Sequence, residues 1–291
     1  MKAYYHAMAL VVLVVAGSSC SRTVDAETAI NNIVAFNDPA DWLPALAGGK
    51  DKLEKYRAAF NLPEVSSQKA DEYTTVLGVI AFRCTEWCEW DLAVEYAKAA
   101  LAARNDPFAR RALIRVAIES DNQFARNIVQ TIHISDKASL DYIDLLIALG
   151  KYGDAMKALD ESIKMENTTD YGNSFLSQMH LEKRALEITT RVPSISSFEE
   201  RLNAAWVKYF KSDEEFQVFC QLCGKGHPGM FEVAFPVRDI AIIAYQKYRG
   251  DGNATAAAIW RVRATLLAEA IVAGSPPHLL HYERVIKPKL I

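Results

Sequence analysis

Residues 149–162 read LGKYGDAMKALDES, and this stretch decides the fold class of the chain. Leu149 and Gly150 end one helical pattern, and a second pattern begins at Tyr152 after a turn of only two residues. Tyr152, Ala155 and the residues that follow keep a helical spacing of apolar and small side chains. The stretch therefore predicts two helices joined as a tight hairpin.

The same arrangement occurs twice more towards the N-terminus. Helical patterns pair as 70–85 with 89–103, 107–119 with 122–133, and 138–149 with 152–165. A small residue falls early in each second helix, at Ala93, Ala125 and Ala155, so the separations are 32 and 30 residues. Such a period is typical of helical pairs that bury one face against their neighbours. No stretch alternates with period two between turn residues, so we expect an all-α chain with few or no strands.

In these features residues 70–166 resemble tetratricopeptide (TPR) repeats, whose period is about 34 residues. The resemblance implies a right-handed α-solenoid of stacked antiparallel hairpins, with a concave face that holds a peptide or helix of another protein. The chain also departs from the family. Leu113 and Ile143 stand where a TPR has a small residue in its first helix, as Ala81 does. A generic α-solenoid without TPR geometry is the alternative.

The N-terminus has the pattern of an export signal. Residues 7–16 form an apolar run of ten residues, which is too short to span a bilayer but fits the core of a signal peptide. The sequence AGSSC that ends at Cys20 resembles the lipobox of bacterial lipoproteins, although glycine stands where the family usually has leucine. The resemblance implies a signal peptide over 1–19, lipid attachment at Cys20, and a place in the bacterial cell envelope facing the periplasm. Cleavage without lipidation, or an uncleaved anchor, are the alternatives.

The rest of the chain divides into an N-terminal helical segment (20–69), the TPR-like repeats (70–166) and a C-terminal helical region (167–291). The last region contains a strong predicted hairpin of 236–248 with 254–272. The tail after it is expected to cap the stack, because a solenoid must shield its last apolar face. The formal charge is −3 with no basic stripe, which argues against nucleic acid as a partner.

Apart from the lipid-attachment cysteine, four cysteines form two close pairs, Cys84 with Cys88 and Cys220 with Cys223. In an exported protein such pairs predict disulfides, either within each pair or joining the two pairs. The same thiolates, with His227 as a substitute for one, have a spacing that suits tetrahedral zinc, so zinc is the alternative. We favour the disulfides and expect no cofactor or metal.

No phosphate loop, dinucleotide fingerprint, nucleophile elbow or zinc-protease motif occurs in the sequence. We therefore expect a protein-binding scaffold or adaptor and not an enzyme. Aromatic and arginine anchors carry most of the energy of such interfaces. The side chains expected to contact the partner are Tyr73, Trp87, Trp90, Arg110, Arg111, Arg115 and Asp144. For the two tryptophans we favour packing in the core over contact with a partner.

Two other functions stay open. One is a periplasmic immunity protein that neutralises a toxin. The other comes from residues 117–120 (AIES), which resemble the Glu-Ser motif of lytic transglycosylases. That resemblance implies Glu119 as the general acid of a peptidoglycan-cleaving enzyme. The later Gly-Leu-Met-Gln segment of that family has no counterpart, and a solvated helix end is the alternative interpretation of Glu119.

Overall fold

The structure, a computed structural model, describes residues 70–103, 105–137, 139–166, 174–227 and 229–291. The predicted signal peptide, the lipid attachment at Cys20 and the helical segment 20–69 lie outside the described residues. Within them the chain consists of helices and turns without a strand, so the all-α prediction is confirmed for this part of the chain. None of the described helices combines the length and apolar character that a membrane crossing requires.

The chain forms two compact units, with the boundary between Gln130 and Thr131. The first unit contains α1 (Ala70–Glu86), α2 (Trp90–Ala103), α3 (Pro107–Glu119) and α4 (Gln123–Val129). The second contains α5 (Leu140–Ala148), α6 (Tyr152–Glu166), α7 (Ser174–Arg191), α8 (Phe198–Tyr209), α9 (Asp213–Gly224), α10 (Met230–Gly250) and α11 (Ala254–Gly274). It ends with a 3-10 turn (Pro276–His278), α12 (Leu279–His281), a π-helical turn (Tyr282–Ile286) and α13 (Lys287–Leu290). The third predicted hairpin, α5 with α6, lies in the second unit.

In the first unit α1, α2 and α3 each pack against the other two, and α4 packs on α3. The largest fully buried side chains there are Ile80, Tyr96 and Leu113. Helix α3 begins with Pro107 after Asp106, whose Oδ1 accepts a hydrogen bond from the Ala109 amide at 2.9 Å. Gly78 of α1 lies against this buried cap, because a Cβ at Gly78 would stand 2.0 Å from Asp106 Oδ1. The missing side chain lets the start of α3 approach α1.

The three alanines that mark the predicted second helices, Ala93, Ala125 and Ala155, each expose 0% of their surface. Buried small residues allow helix backbones to approach closely. Helix α4 ends at Val129 and not at residue 133 as predicted, because Ala125 and Val129 are its only buried residues. A short helix depends on a buried face for its stability, so it stops where that face ends.

In the second unit α5, α6 and α7 pack in chain order, and α7 also contacts α8 and α10. Helix α11 contacts both α9 and α10. An aromatic cluster joins α8, α9 and α11, with the rings of Trp206 and Trp260 4.7 Å apart and those of Trp206 and Phe216 5.3 Å apart. The Arg263 guanidinium lies 4.9 and 4.7 Å from the two indole rings and donates to Asp213 at 2.8 Å. The cluster thus holds α8, α9 and α11 together around the Arg263 guanidinium.

Helix α10 begins earlier than the sequence predicts. The sequence predicts a start at Pro236, whereas the helix starts at Met230 and contains Pro236 in its interior. Proline cannot donate the helical hydrogen bond at that position, which destabilises the first turns. The added turns carry Phe231 and Phe235, whose rings lie 6.3 and 5.2 Å from the ring of His278. Packing of these aromatic side chains compensates for the lost hydrogen bond.

Candidate functional site

An open cleft of about 380 Å³ lies in the first unit, between the α1–α2 turn and the α3–α4 turn. Its walls are residues 88–92 and 120–122. Glu89 and Asp91 contribute carboxylates on one side, and Asp121 contributes one on the other, where it also pairs with Arg126 at 2.5 Å. Trp90 adds a half-buried aromatic surface. An aromatic ring beside carboxylates suits a cationic side chain of a partner.

One wall of the cleft is held by hydrogen bonds within the α3–α4 turn. Asn122 caps α4, since its Oδ1 accepts from the Ala125 amide at 3.1 Å. The Ser120 hydroxyl donates to the Val116 carbonyl at 2.8 Å and accepts from the Asn122 amide at 3.3 Å. These bonds are formed from residues adjacent in sequence, so the turn keeps its shape without help from a ligand.

The other wall is the end of α1, where Cys88 adopts a left-handed backbone with φ of 59°. The Cys88 amide donates to the Thr85 carbonyl at 3.2 Å and the Glu89 amide to the Cys84 carbonyl at 2.9 Å. This pair of bonds is the Schellman motif of helix ends, in which the left-handed residue is usually glycine. Three other helix ends in the described residues have the same bonds with glycine at that place: Gly150, Gly226 and Gly252. Cys88 is therefore the exception, exposed on the cleft wall.

We expect Cys88→Gly to raise the free energy of unfolding by about 1 kcal/mol, because glycine has no Cβ to clash in this conformation. Gly150→Ala, at the matched end of α5, should lower it by a similar amount, since nothing lies within 4 Å of a Cβ there and only backbone strain changes. Urea unfolding curves measure both effects. A loss of stability in Cys88→Gly would show that contacts of the Cys88 side chain outweigh the backbone strain.

The residues predicted to contact a partner lie in different surroundings. Trp90 lines the cleft, and Trp87 lies half-buried in the same α1–α2 turn. On α3, Arg111 and Arg115 are one turn apart and share a face, whereas Arg110 lies about 100° around the helix from Arg111. All three arginines are half-buried. The predicted set therefore does not form one surface on α3.

Two more predicted contact residues remain. Tyr73 belongs to α1, and its side chain lies outside the described residues. Asp144, on α5, is bonded within the protein: Nε and Nη2 of Arg184 lie 2.8 and 2.9 Å from its Oδ1 and Oδ2. Burial raises the pKa of Asp144, although the charge of Arg184 opposes that effect. The Asp144 carboxylate is thus already paired within the protein, with a hydrogen bond to its Oδ2, and its contact with a partner stays a prediction.

The Asp144–Arg184 pair is part of a charge network that connects α5, α7 and α10. Its six members are Asp144, Lys183, Arg184, Glu187, Arg238 and Asp239. Arg184 Nη1 lies 2.5 Å from Glu187 Oε2, while Lys183 Nζ lies 2.7 Å from Asp239 Oδ2. The six side chains are between 8% and 26% exposed. Three cations balance three carboxylates, which is the arrangement that buried charges require.

Within the network the carboxyl groups of Asp239 and Glu187 are held in the charged form. Burial by itself would raise the pKa of Asp239, but Lys183 and Arg238 outweigh it and hold that pKa well below its usual range. The pKa of Glu187 is likewise lowered, because Arg184 and Lys183 outweigh burial. Opposite charges within hydrogen-bond reach favour the ionised carboxylate. The network is thus an ionic structure at neutral pH.

His180, one turn before Arg184 on α7, is half-buried beside this network. Burial, followed by the charge of Lys183, lowers the pKa of His180 from 6.5 to about 4, although Asp239 acts in the opposite direction. Between these two pH values the unfolded chain binds a proton at His180 that the folded chain does not bind. Folding stability must therefore decrease as the pH falls through this window.

We expect the part of the stability that depends on His180 to fall by about 2 kcal/mol between pH 7 and pH 4.5. The variant His180→Gln lacks the titrating group, so its stability should change less over the same range. Urea unfolding midpoints of both proteins, measured at several pH values, test this difference. The carboxyl groups titrate in both proteins, so their contribution drops out of the comparison. Equal slopes in the two proteins would exclude His180 as the source.

All four described cysteines carry free thiols: Cys84 and Cys223 are buried, Cys220 is half-buried and Cys88 is exposed. The predicted disulfides are not formed among them in the structure. Burial raises the pKa of Cys84, and it raises the pKa of Cys220 to about 12 and that of Cys223 to about 11. Such thiols are poor nucleophiles. Among the described residues, no three His, Cys, Asp or Glu side chains converge as a metal site would need.

Glu119, the residue implied by the transglycosylase resemblance, is exposed at the end of α3. It directly precedes the wall residues 120–122 in the chain but is not among the residues that line the cleft. A glycosidase places its acid against the bound sugar chain. The position of Glu119 therefore lends no support to the lytic-enzyme hypothesis.

The charge network is not predicted by the sequence. A local signal was present, because Lys183, Arg184 and Glu187 fall within a turn or so of one helix. The partners on other helices have no such local signal, since Asp144 lies 40 residues from Arg184 and Asp239 lies 56 residues from Lys183. Only the tertiary arrangement of α5, α7 and α10 brings these charges together.

Comparison with known proteins found no match for this chain among protein-family models, curated proteins or solved structures.

Proposed function

We propose that this protein is a non-catalytic protein-binding scaffold or adaptor of the bacterial cell envelope, exported by its N-terminal segment and lipid-anchored at Cys20. The observation that carries the proposal is the complete burial of Ala93, Ala125 and Ala155 at matching places in three second helices. Buried small residues at a repeat spacing are what a TPR-like stack of hairpins needs. The packing of α1 with α2 and α3, and of α6 with α5 and α7, supports the same architecture.

The cleft of the first unit is the surface through which we propose that a partner binds. Trp90 is half-buried there, which limits the side-chain entropy lost on binding, and Asp91 is exposed next to it. A partner segment that carries lysine or arginine can place its charge over the indole and beside the carboxylate. This explains why the partner is expected to be a protein with a basic segment.

Charge reversal at Asp91 tests this contact. Asp91→Lys changes the cleft, and Asp154→Lys is a matched control, because both residues are exposed acids in the first turn of a second helix. The cost to the helix dipole is therefore similar in the two variants. Tagged full-length proteins are purified from detergent-solubilised envelopes, and the proteins that co-purify are quantified by mass spectrometry. We expect Asp91→Lys to reduce the recovered partner at least about tenfold, and Asp154→Lys to leave it unchanged. Equal recovery with all three proteins would contradict a role for the cleft.

Metabolic labelling tests the lipid anchor separately. Cells that express the full chain are grown with an alkyne fatty acid, and the label on the protein is detected after a coupling reaction. We expect label on the wild-type chain and none on Cys20→Ser, with loss of the variant from the membrane fraction. An unlabelled wild-type protein would contradict lipidation and leave export without an anchor.

A further inference from the structure

Two free thiols lie near the end of α9, three residues apart. Cys220 is half-buried and Cys223 is buried. Cα atoms with this spacing are about 5 Å apart in an α-helix, and disulfides join Cα atoms that are about 4.4 to 6.8 Å apart. The Cβ atoms, about 5–6 Å apart in a regular helix, would have to approach to about 4 Å. A bond between the two cysteines therefore requires the last turn of α9 to tighten.

This end of α9 has little room to change shape, because it packs through glycines against the end of α11. A Cβ at Gly274 would lie 2.0 Å from the Cys223 carbonyl oxygen. A Cβ at Gly226, in the turn after α9, would lie 3.2 Å from the Gly274 carbonyl oxygen. A shift of Cys223 towards Cys220 must alter this contact, because backbone atoms meet there without a side chain that could adjust. The packed contact and the bonded cysteines are thus competing arrangements of one turn.

We propose that Cys220 and Cys223 form a reversible redox switch that controls the packing of α9 on α11. In the dithiol form the end of α9 packs on α11, as in the structure. In the disulfide form the last turn is tightened and this contact is released. Because the two states exclude each other, the disulfide and the open contact favour one another by the same factor.

The oxidant is a small disulfide of the class of glutathione disulfide. The Cys220 thiolate attacks one sulfur of glutathione disulfide and releases one glutathione thiolate. The Cys223 thiolate then attacks Sγ of Cys220 in this mixed disulfide and releases the second. The protein loses two electrons, and the protons of its two thiols pass to the two glutathione molecules that are formed. Cys220 reacts first because it is half-buried, whereas Cys223 exposes 0% of its surface.

The closed contact keeps both thiols unreactive. Burial raises the pKa of Cys220 to about 12 and that of Cys223 to about 11. The thiolate is the form that attacks a disulfide, so little of either cysteine is reactive near neutral pH. Oxidation therefore proceeds through the state in which the end of α9 has separated from α11.

Glutathione buffers measure the switch. The full chain is equilibrated at a series of ratios of reduced to oxidised glutathione, quenched with acid, alkylated and cleaved with trypsin. The tryptic peptide of residues 212–225 contains both cysteines, so its mass distinguishes dithiol, mixed disulfide and disulfide. We expect the disulfide in the wild type, a glutathione adduct on Cys220 in Cys223→Ser, and no reaction of this peptide in Cys220→Ser. A wild-type peptide that stays a dithiol in oxidised glutathione alone would overturn the proposal.

Gly274→Ala tests the coupling between the bond and the contact. A Cβ there opens the contact, so the equilibrium constant for oxidation should rise at least about tenfold, which is in the range of coupled sites. Gly250→Ala should leave the constant unchanged, because nothing lies within 4 Å of a Cβ at that position. The peptide of residues 84–98 contains the other two described cysteines and belongs to the first unit, so its oxidation should be equal in both variants. An unchanged constant in Gly274→Ala would contradict the coupling.

Hydrogen exchange of the wild type follows the contact directly and does not need a variant that folds. The amides of Lys225, Gly226 and His227 donate to carbonyls of α9 at 3.1, 2.9 and 3.3 Å. We expect these amides to exchange at least about tenfold faster in the disulfide form. The amides of residues 251–253, which close the end of α10 in the same way, should not change. Equal exchange at 225–227 in the two redox forms would refute the switch, whatever partner is recovered through the cleft.

Discussion

Replacing Gly274 with alanine should lower the free energy of unfolding by about 3 kcal/mol. A Cβ at this position would lie 2.0 Å from the carbonyl oxygen of Cys223 and 2.8 Å from Cζ of Phe231. The Cys223 oxygen belongs to the backbone of α9, so it has no rotatable bond by which to move aside. Helices α9 and α11 would have to separate at their C-terminal ends, which opens contacts on both sides of the clash.

Gly250→Ala is the control for this prediction. Gly250 also ends a long helix, but nothing lies within 4 Å of a Cβ there. Alanine at that position should be neutral or stabilise by about 0.5 kcal/mol, because it restricts the unfolded chain. Urea unfolding of the two variants gives the comparison. Alkylation of Cys223, which is buried in the wild type, should become faster in Gly274→Ala. Equal stability of the two variants would mean that the helices relax without loss of packing.

Removing one charge from the buried network should have an effect of similar size. Asp239→Asn keeps the shape of the side chain but removes the negative charge between Lys183 and Arg238, so we expect a loss of about 3 kcal/mol. The wild-type carboxylate accepts from Lys183 at 2.7 Å and from Arg238 Nη2 at 2.8 Å. The amide of asparagine accepts more weakly and leaves two cations close together in a poorly hydrated place.

Asp251→Asn is the matched control, because Asp251 pairs with Lys247 but is 50% exposed. Exposed pairs contribute little, so this variant should lose less than about 0.5 kcal/mol. Adding Lys183→Met to Asp239→Asn should recover part of the loss, since it removes the surplus cation. Below pH 4 the difference between wild type and Asp239→Asn should narrow. The lowered pKa of Asp239 means that its stabilisation exists above the unfolded pKa and disappears when the folded carboxylate is protonated. An Asp239→Asn loss no larger than that of Asp251→Asn would contradict the network's contribution.

Local chemistry made several helix ends predictable from sequence. The Asp106–Pro107 pair predicts the start of α3, and Asp106 caps that helix as expected. Ser197 predicts the start of α8, and its hydroxyl accepts from the Glu200 amide at 3.3 Å. Such caps satisfy backbone groups with residues two or three positions away, so no distant part of the chain is needed to form them. The start of α10 was missed because contacts with His278, far along the chain, decide it.

The candidate site was predictable in part. Trp90, a predicted contact residue, lies in the cleft. Nothing in the sequence predicts that residues 120–122 of the α3–α4 turn form the opposite wall, next to the α1–α2 turn. In the sequence, Asp144 is indistinguishable from an acidic residue on an exposed helix face. Only the position of Arg184 on another helix shows that Asp144 is paired within the protein. The left-handed conformation of Cys88 also had no signal, because glycine and not cysteine is typical of that position.

The sequence alone determined that this chain is helical, where its capped helices begin, and which small residues lie buried in the second helices, because these features depend on spacing and on neighbours in the chain. Tertiary structure decided that six charges from three helices form one network, that a glycine at the end of α11 lies against the backbone of α9, and that Ile259, Val262 and Leu266 of α11 stay exposed. Each of these depends on which surfaces meet across long loops. The packing of whole helices decides which surfaces meet, and the local pattern of residues does not predict it.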